Sequence, residues 1–421
     1  MRTPIYKSRP VEPNPARFDS GQRINDFITL SEAFSNVYRI ETSAGSIQLN
    51  AGMGMEAPVI DANLNALSEQ RLHSLILTQG HVDHVGGVAY FREKNPGLTV
   101  IAGANNPEHQ AYDSRLGPFR GQRSAFAFTE KFSAAFAHYQ QHNYTEMPPQ
   151  DAPTPDMLVE DKLELEIGGL KLEVIAVPGA ETNDSVIVWL PEHRICFTGN
   201  LFGCPFGHFP NLVTIRGDRY RDALVVANAV DTVRQLEPDM ILYGHHGPVV
   251  GRELIQDELN ALHGAILYVH DETVKGMNAG KSVHELMSEI ALPPELEVGE
   301  GYGKVSWSVR AIWENYGGWF HHQSTTELYS VPASQVHADV VALAGADNLL
   351  ERAKSKHKAH KLEEALHLVD MVLNAEPEHC EALSLSQAIH RDLLGQTDNF
   401  WLRSWLNHQI NTLQTQINEA S

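Results

Sequence analysis

The chain has 421 residues, of which 42% are hydrophobic and 20% are charged, which is ample for one large domain and a smaller one. The formal net charge of −21 repels phosphate backbones and anionic lipid headgroups, so we expect a small-molecule ligand rather than nucleic acid or a membrane. No apolar run is long enough to span a bilayer, and the N-terminus lacks the apolar run of a signal peptide. The three cysteines have no paired spacing, and a cytoplasmic location is therefore expected.

In chain order, residues 1–35 are rich in Pro, Arg and Asn and are predicted to form an extended arm. Residues 36–251 contain short aliphatic runs bounded by Gly, Pro or polar residues, a pattern typical of strands. The predicted strands are 74–78, 98–102, 170–177, 185–190 and 240–243. Because helical spacing over 219–235 lies among them, the pattern predicts a layered α/β sandwich.

Residues 252–421 are predicted to form a helical domain. Two segments in it, 347–374 and 378–394, resemble a single tetratricopeptide-like helix pair, which is too short for a solenoid and indicates an appended bundle. An aromatic helix is predicted upstream of them. Its helical spacing predicts packed positions for Trp307, Trp313 and Trp319.

The run Thr78-Gln-Gly-His-Val-Asp-His-Val-Gly-Gly87 directly follows a predicted strand. The turn presents His81, Asp83 and His84 within four residues, and these imidazole and carboxylate donors can converge on zinc, manganese or iron. The glycines let the following backbone pass close to the site. The run therefore predicts a divalent metal site.

This run resembles the T-H-x-H-x-D-H-x-G-G signature of the metallo-β-lactamase superfamily, with Gln79 in the place of the first histidine. The resemblance implies an αββα sandwich that holds one or two divalent ions, with zinc expected and manganese or iron as alternatives. Glu181 stands where the alkyl sulfatases of this superfamily have a glutamate ligand. His245 and His246 resemble the closing His-Gly motif; we expect His246 to be the ligand and His245 an acid/base residue, although the reverse stays open.

The alkyl sulfatase resemblance extends over most of residues 45–415 and implies a sulfate site. Asn211 and Arg216 lie in a segment similar to one whose Asn and Arg hold the sulfate, and a guanidinium fork fits a tetrahedral anion. Tyr302 stands where the family brings a tyrosine towards the sulfate, and Phe128 replaces a second such tyrosine. The late helices are similar to the family's dimerisation domain, which implies a homodimer.

The sequence also departs from the alkyl sulfatase pattern. Asn200 replaces a metal-bridging glutamate, and its amide oxygen brings no negative charge. The sequence ends at Ser421, so we expect no sterol-carrier-like domain like the one that ends the alkyl sulfatases. Because the site has fewer carboxylates, we expect one metal ion to bind first at Asp83 and a second ion to bind more weakly beside Gln79. The alternative is that the amides of Gln79 and Asn200 adapt both metal positions to a harder metal such as manganese or iron. The implied metal ligands are Gln79, His81, Asp83, His84, Glu181, Asn200 and His246.

These residues imply a metal-dependent hydrolase that acts on an anionic, alkyl sulfate-like ester through a metal-bound hydroxide. Asp83, His245 and Arg216 are the predicted catalytic residues, with Arg216 stabilising negative charge. Two alternatives stay open: an iron-dependent oxidising enzyme on the same fold, and an anion-binding homologue that has lost catalysis.

Overall fold

The computed structural model describes residues 2–144 and 147–420, and the chain divides into two compact units after Asn315. The first unit contains two β-sheets, each with its strands in chain order. The first sheet consists of β1 (Gln22–Arg23), β2 (Ile28–Ser31), β3 (Val37–Thr42), β4 (Gly45–Leu49), β5 (Leu72–Ile76), β6 (Thr99–Gly103) and β7 (Met157–Val159). The second consists of β8 (Lys162–Ile167), β9 (Leu170–Ala176), β10 (Val186–Leu190), β11 (Ile195–Gly199), β12 (Met240–Tyr243) and β13 (Val249–Val250).

The helices of the first unit lie between and after these strands. They are α1 (Ala57–Asn65), α2 (Val82–Val85), α3 (Val88–Lys94), α4 (Asn106–Gln141), α5 (Ala223–Leu236), α6 (Arg252–Asn278), α7 (Val283–Glu289) and α8 (Val305–Gly317), of which α8 runs across the division. The second unit is helical, with α9 (His337–Ala344), α10 (Ala346–Lys358), α11 (Leu362–Ala375), α12 (Cys380–Leu394) and α13 (Phe400–Ala420). Among the described residues, none of these helices has the length and apolar character needed to cross a bilayer.

The two sheets pack face to face over an aliphatic core that includes Ile47, Ile76 and Val188. Helices α1, α3 and α4 cover the outer face of the first sheet, and α5, α6 and α8 cover that of the second. Burial of apolar area at these faces, worth about 25 cal/mol per Å², favours the layered arrangement. The predicted αββα sandwich followed by a helical domain is confirmed.

Strand direction determines where the functional loops lie. Strands β4 to β7 are parallel, so their carboxyl ends meet at one edge of the first sheet. In the second sheet β11 and β12 are parallel, and β9 has the same direction because β10 is antiparallel to both β9 and β11. The loops that carry the predicted metal ligands therefore all leave the carboxyl ends of strands.

The compact units differ from the predicted division of the chain. The predicted arm ends earlier than residue 35, because β1 and β2 already pair within the first sheet. The first unit extends beyond the predicted boundary after Gly251, because α6 buries Ile255, Leu259 and Leu262 in the core of the second sheet.

Two predictions for the second unit also need correction. The segment 347–374 forms two helices, α10 and α11, because His360 takes a left-handed backbone conformation between them. Trp319 lies after α8 and is 68% exposed, so the prediction that it packs in the interior is wrong.

A buried carboxylate links three loops of the first unit. The Glu56 side chain is fully buried, and it accepts hydrogen bonds from the backbone N–H groups of Ala16 (2.8 Å), Phe34 (3.0 Å) and Met53 (3.2 Å). These donors belong to the N-terminal arm, the β2–β3 loop and the loop after β4. Glu56 thus fixes the loop of Phe34 against the body of the domain.

We predict that Glu56→Ala lowers the free energy of unfolding by about 3 kcal/mol, because each buried donor left without a partner costs roughly 1–3 kcal/mol. Urea denaturation followed by circular dichroism measures the change. Glu69→Ala removes the same charge from an exposed position and is the matched control. Equal stability of the two variants would show that the Glu56 hydrogen bonds contribute nothing.

Candidate metal centre

Asp83, His84 and His245 come together at the edge where the two sheets meet. One donor atom from each lies within 4.8 Å of the others, and this is the one such group of His, Cys, Asp and Glu side chains among the described residues. Asp83 and His84 lie on the short helix α2 after β5, and His245 follows β12. Two imidazoles and a carboxylate are a donor set that divalent transition metals accept.

The environment of His84 leaves one ring nitrogen available. Its Nδ1 lies 3.1 Å from Ser35 Oγ and 3.3 Å from Thr78 Oγ1. Its Nε2 is buried and has no hydrogen-bond partner among the described residues, and Asp83 Oδ2 lies 3.7 Å from it. A buried nitrogen without a partner is unfavourable unless something binds it. The three residues therefore fit a divalent cation, with the two hydroxyl groups orienting the ring.

Electrostatics at this cluster also suit a cation. Burial lowers the pKa of His84 to about 3, and it lowers that of His245 to about 3 although the charge of Asp83 opposes it. Both rings are therefore neutral at pH 7, the form that binds a metal. Burial raises the pKa of Asp83, whereas His245 and Arg216 favour its ionised form.

Gln79 and His81 lie beside this cluster and contact each other. Gln79 Nε2 is 2.8 Å from His81 Nδ1, and Gln79 Oε1 accepts a hydrogen bond from the backbone N–H of Asn200 at 3.2 Å. The other ring nitrogen of His81, Nε2, lies 3.8 Å from Asp218 Oδ2. Burial lowers the pKa of His81 well below its ordinary value.

Glu181 lies close to the same group but is paired with an arginine. Its Oε1 is 3.9 Å from His81 Nδ1 and 3.0 Å from Arg221 Nη2. Arg221 also donates from Nε to the backbone oxygen of Glu181 at 2.7 Å, and from Nη1 to that of Asn211. Burial raises the pKa of Glu181, and the charges of Arg221 and Arg216 oppose this.

Sequence reasoning did not select Asp218, Arg120 or Arg221. Arg120, on α4, pairs with Asp113 and lies 3.0 Å from Asp218 Oδ2. Burial disfavours ionisation of Asp218, but its interactions with His81, Arg221 and Arg120 hold its pKa well below the usual range. The sequence feature that could have indicated Asp218 and Arg221 is the dense run of charged residues from Arg216 to Asp222, because so many charges in one loop need partners.

Two of the predicted anion-binding residues, Arg216 and Tyr302, interact electrostatically with this cluster. The charge of Arg216 acts on Asp83, Glu181 and Tyr302, so it lies within electrostatic range of the cluster. Burial raises the pKa of Tyr302 well above its ordinary value, which keeps its hydroxyl protonated. Asn211 is buried, and its Oδ1 has no hydrogen-bond partner within the described ranges. The structure thus brings Arg216 and Tyr302 within electrostatic range of the candidate metal centre, and Asn211 is linked to it through Arg221, which donates to the Asn211 backbone oxygen and pairs with Glu181.

Phe128 and Asn200 take different positions around the site. The Phe128 ring, on α4, lies 6.3 Å from that of Phe132, which in turn lies 5.0 Å from that of Phe34. These three rings form an aromatic row that leads to the loop beside His84. Asn200 is buried against Gly244, and its Oδ1 accepts no hydrogen bond within the part of the chain that the structure describes.

The sequence matches the metallo-beta-lactamase superfamily over residues 31–245, which is just over half of the chain. The chain belongs to this superfamily. Residues 282–416 match the alkyl sulfatase dimerisation family. The superfamily match covers every predicted metal ligand except His246, and the dimerisation match covers most of the helical second unit.

Several relatives are alkylsulfatases. A linear primary-alkylsulfatase from a Pseudomonas strain is 26% identical over 380 residues, covering 87% of this chain and 71% of the relative. An (R)-specific secondary-alkylsulfatase from Pseudomonas is 22% identical over 417 residues, covering 92% of this chain and 62% of the relative. An alkyl/aryl-sulfatase from Saccharomyces cerevisiae is 23% identical over 333 residues, covering 75% of this chain and 51% of the relative. The chain therefore spans between half and about 70% of the length of these relatives.

A solved structure shares the fold. The stereoselective inverting sec-alkylsulfatase Pisa1 from Pseudomonas superposes with a TM-score of 0.79 at 18% identity, covering 96% of this chain and 66% of that protein. The similarity thus extends over both units of the chain, each of which has its counterpart in an alkylsulfatase.

The structure favours His245, rather than the predicted His246, as the ligand beside Asp83 and His84. His246 takes a left-handed backbone conformation with φ of +61°, and it is not part of the three-residue group. Burial lowers the pKa of His246 to about 4, and the positive charge of Arg9 in the N-terminal arm lowers it further. The pKa of His245, by contrast, is influenced by the negative charge of Asp83, which belongs to the metal cluster. The positive φ turns neighbouring side chains in different directions, which residue spacing alone does not reveal.

We predict that His245→Ala abolishes tight zinc binding and that His246→Ala retains it, because only the first removes a member of the three-donor group. Metal content after dialysis against a weak chelator measures the difference. Circular dichroism of both variants controls for folding. Loss of zinc from His246→Ala alone would restore the ligand assignment made from sequence.

Proposed function

We propose that this protein is a zinc-dependent hydrolase of alkyl sulfate esters. The observation that carries the proposal is the three-donor group of Asp83, His84 and His245, with the charge of Arg216 acting on Asp83. The named activities of the relatives, alkylsulfatases from Pseudomonas and yeast, support the choice of substrate. A divalent ion at the cluster would supply Lewis acidity and activate a water molecule.

The residues of the chain would bind and orient the ester. The Arg216 fork would hold two oxygens of the sulfate group, which leaves as an anion when water breaks the alkyl C–O bond. The protonated Tyr302 hydroxyl and the Asn211 amide would donate to the remaining sulfate oxygens. The aromatic row of Phe34, Phe128 and Phe132 would lie along the alkyl chain, and Phe128 would contribute apolar contact where the family pattern has a tyrosine.

The donor set gives one reason to test a second function. Two histidines and one carboxylate are also the ligands of non-haem Fe(II) oxygenases, so an iron-dependent oxidising enzyme is the alternative. Metal analysis of protein purified without added metal distinguishes the two. Iron with visible absorbance would favour oxidation, and zinc would favour hydrolysis.

We predict that zinc-loaded protein releases inorganic sulfate from octyl sulfate and that Arg216→Ala raises KM about tenfold or more, since a hydrogen bond to a charged group is worth about 1.5–3 kcal/mol. Added sulfate should inhibit the parent competitively and the variant much less. Arg216→Lys keeps the charge without the fork and should be intermediate.

Arg115→Ala is the matched control, because it removes the same charge from a side chain that is 66% exposed. Equal KM values for the Arg216 and Arg115 variants would show that Arg216 does not bind the sulfate. Sulfate binding by a fully metal-loaded parent without any turnover would indicate an anion-binding protein instead of an enzyme.

We also propose that the protein is a homodimer, formed through the second unit. This unit belongs to the region matched by the alkyl sulfatase dimerisation family. Large apolar side chains are concentrated on its surface between residues 316 and 343, whereas soluble monomers rarely expose large contiguous apolar patches. The exposed side chains are Tyr316, Trp319, Leu328, Tyr329, Val331, Val336, Val340 and Leu343.

We predict a mass of about twice 46.8 kDa by light scattering at micromolar concentration. Leu343, which is 90% exposed, is the most accessible of these side chains, and Leu343→Glu should shift the protein towards monomer because it buries a charge in the interface. Val250→Glu, on an exposed position of β13, is the control and should stay dimeric. A parent that scatters as a monomer would refute the proposal.

A further inference from the structure

We propose that this protein holds a single metal ion, at Asp83, His84 and His245, and that contacts within the chain close the second metal position of the superfamily pattern. The closing residues are Gln79, His81, Glu181 and Arg221. The inference deepens the proposed function and rests on the same metal centre. The inference concerns the number of bound ions, whereas the proposed function concerns the reaction, so an experiment can refute one without the other.

The first step concerns the ring of His81. A metal ion bound at Nδ1 needs the lone pair of that nitrogen, and the Gln79 amide nitrogen, which can only donate, lies 2.8 Å from it. The amide cannot simply be turned over, because its oxygen accepts the backbone N–H of Asn200 at 3.2 Å. A reversed amide would place its NH₂ group against that N–H. Since Nε2 faces Asp218 at 3.8 Å, both ring nitrogens of His81 have protein neighbours.

The second step concerns Glu181. Its carboxylate is 3.0 Å from Arg221 Nη2, and Arg221 is itself fixed by hydrogen bonds to the backbone oxygens of Glu181 and Asn211. A cation between Glu181 and His81 would lie beside this guanidinium and within the field of Arg216. The negative charge that a second ion requires is therefore already matched by an arginine.

The contrast with the other half of the site supports the same conclusion. The 3.9 Å between His81 Nδ1 and Glu181 Oε1 would admit an ion, but the third donor there is an amide whose oxygen is already bonded. At the Asp83 position, by contrast, the buried Nε2 of His84 has no hydrogen-bond partner within the described residues. The donor atoms that a second ion would use, His81 Nδ1, Gln79 Oε1 and the Glu181 carboxylate, thus have protein partners, whereas His84 Nε2 has none within the described residues.

The test is the number of zinc ions per chain. The 421-residue protein is stripped with a chelator, titrated with Zn²⁺ and dialysed, and its metal content is then measured by mass spectrometry in the absence of substrate. We expect one ion in the parent and two in Gln79→His, because the substitution removes the amide from His81 and supplies an imidazole. Gln79→Leu is the matched control: it removes the amide without adding a donor and should hold one ion.

His81→Ala provides a second measurement. It should keep the ion of the parent, because His81 is not a ligand of the Asp83 position. The proposal is overturned by two ions or none in the parent, by loss of the ion in His81→Ala, or by a folded Gln79→His that stays at one. A failure to hydrolyse alkyl sulfates would refute the proposed function and leave this count unchanged, whereas two ions in an active parent would refute only the count.

Discussion

The hydrogen bonds of Asn36 hold the two sheets together at the edge where the candidate metal centre lies. Its backbone N–H donates to Gly244 at 2.7 Å, and its side-chain amide donates to the backbone oxygens of Tyr243 and His246 at 3.1 and 2.7 Å. The preceding residue, Ser35, contacts the ring of His84. One short loop of the first sheet therefore sets the position of His84 and of the turn that carries His245.

A cluster of one buried and two half-buried arginines explains how a strongly acidic protein can receive an anion. The net charge of −21 describes the whole surface, but Arg120, Arg216 and Arg221 all act on the carboxylates of one pocket. In the low dielectric of that pocket their charges are less screened than those on the surface. Arg120 pairs with Asp218 and Arg221 with Glu181, and the charge of Arg216 also acts on Asp83 and Glu181.

The sequence was sufficient to predict β5, β9 and β12, which end at the site, and the grouping of Asp83 with His84, since both depend on local pattern. It did not predict β11, which ends beside Asn200. It could not decide between His245 and His246, because the left-handed conformation of His246 depends on the packing of the turn. Nor could it pair Glu181 with Arg221, which lies 40 residues further along the chain. The end of the first unit was also missed, because α6 looks like any amphipathic helix until its partner sheet is known.

Gln79 and Asn200, two departures from the family pattern that are far apart in sequence, form one structural feature. The backbone N–H of Asn200 satisfies the oxygen of the Gln79 amide, whose nitrogen in turn contacts His81. A glutamate at position 200 would add a negative charge that this half of the site could balance only with a further cation, whereas an amide adds none. Neither Gln79 nor Asn200 brings a charge into this half of the site. With no carboxylate at position 200, the charge of Glu181 is matched by Arg221 at 3.0 Å, which is the arrangement expected of a position that holds no ion.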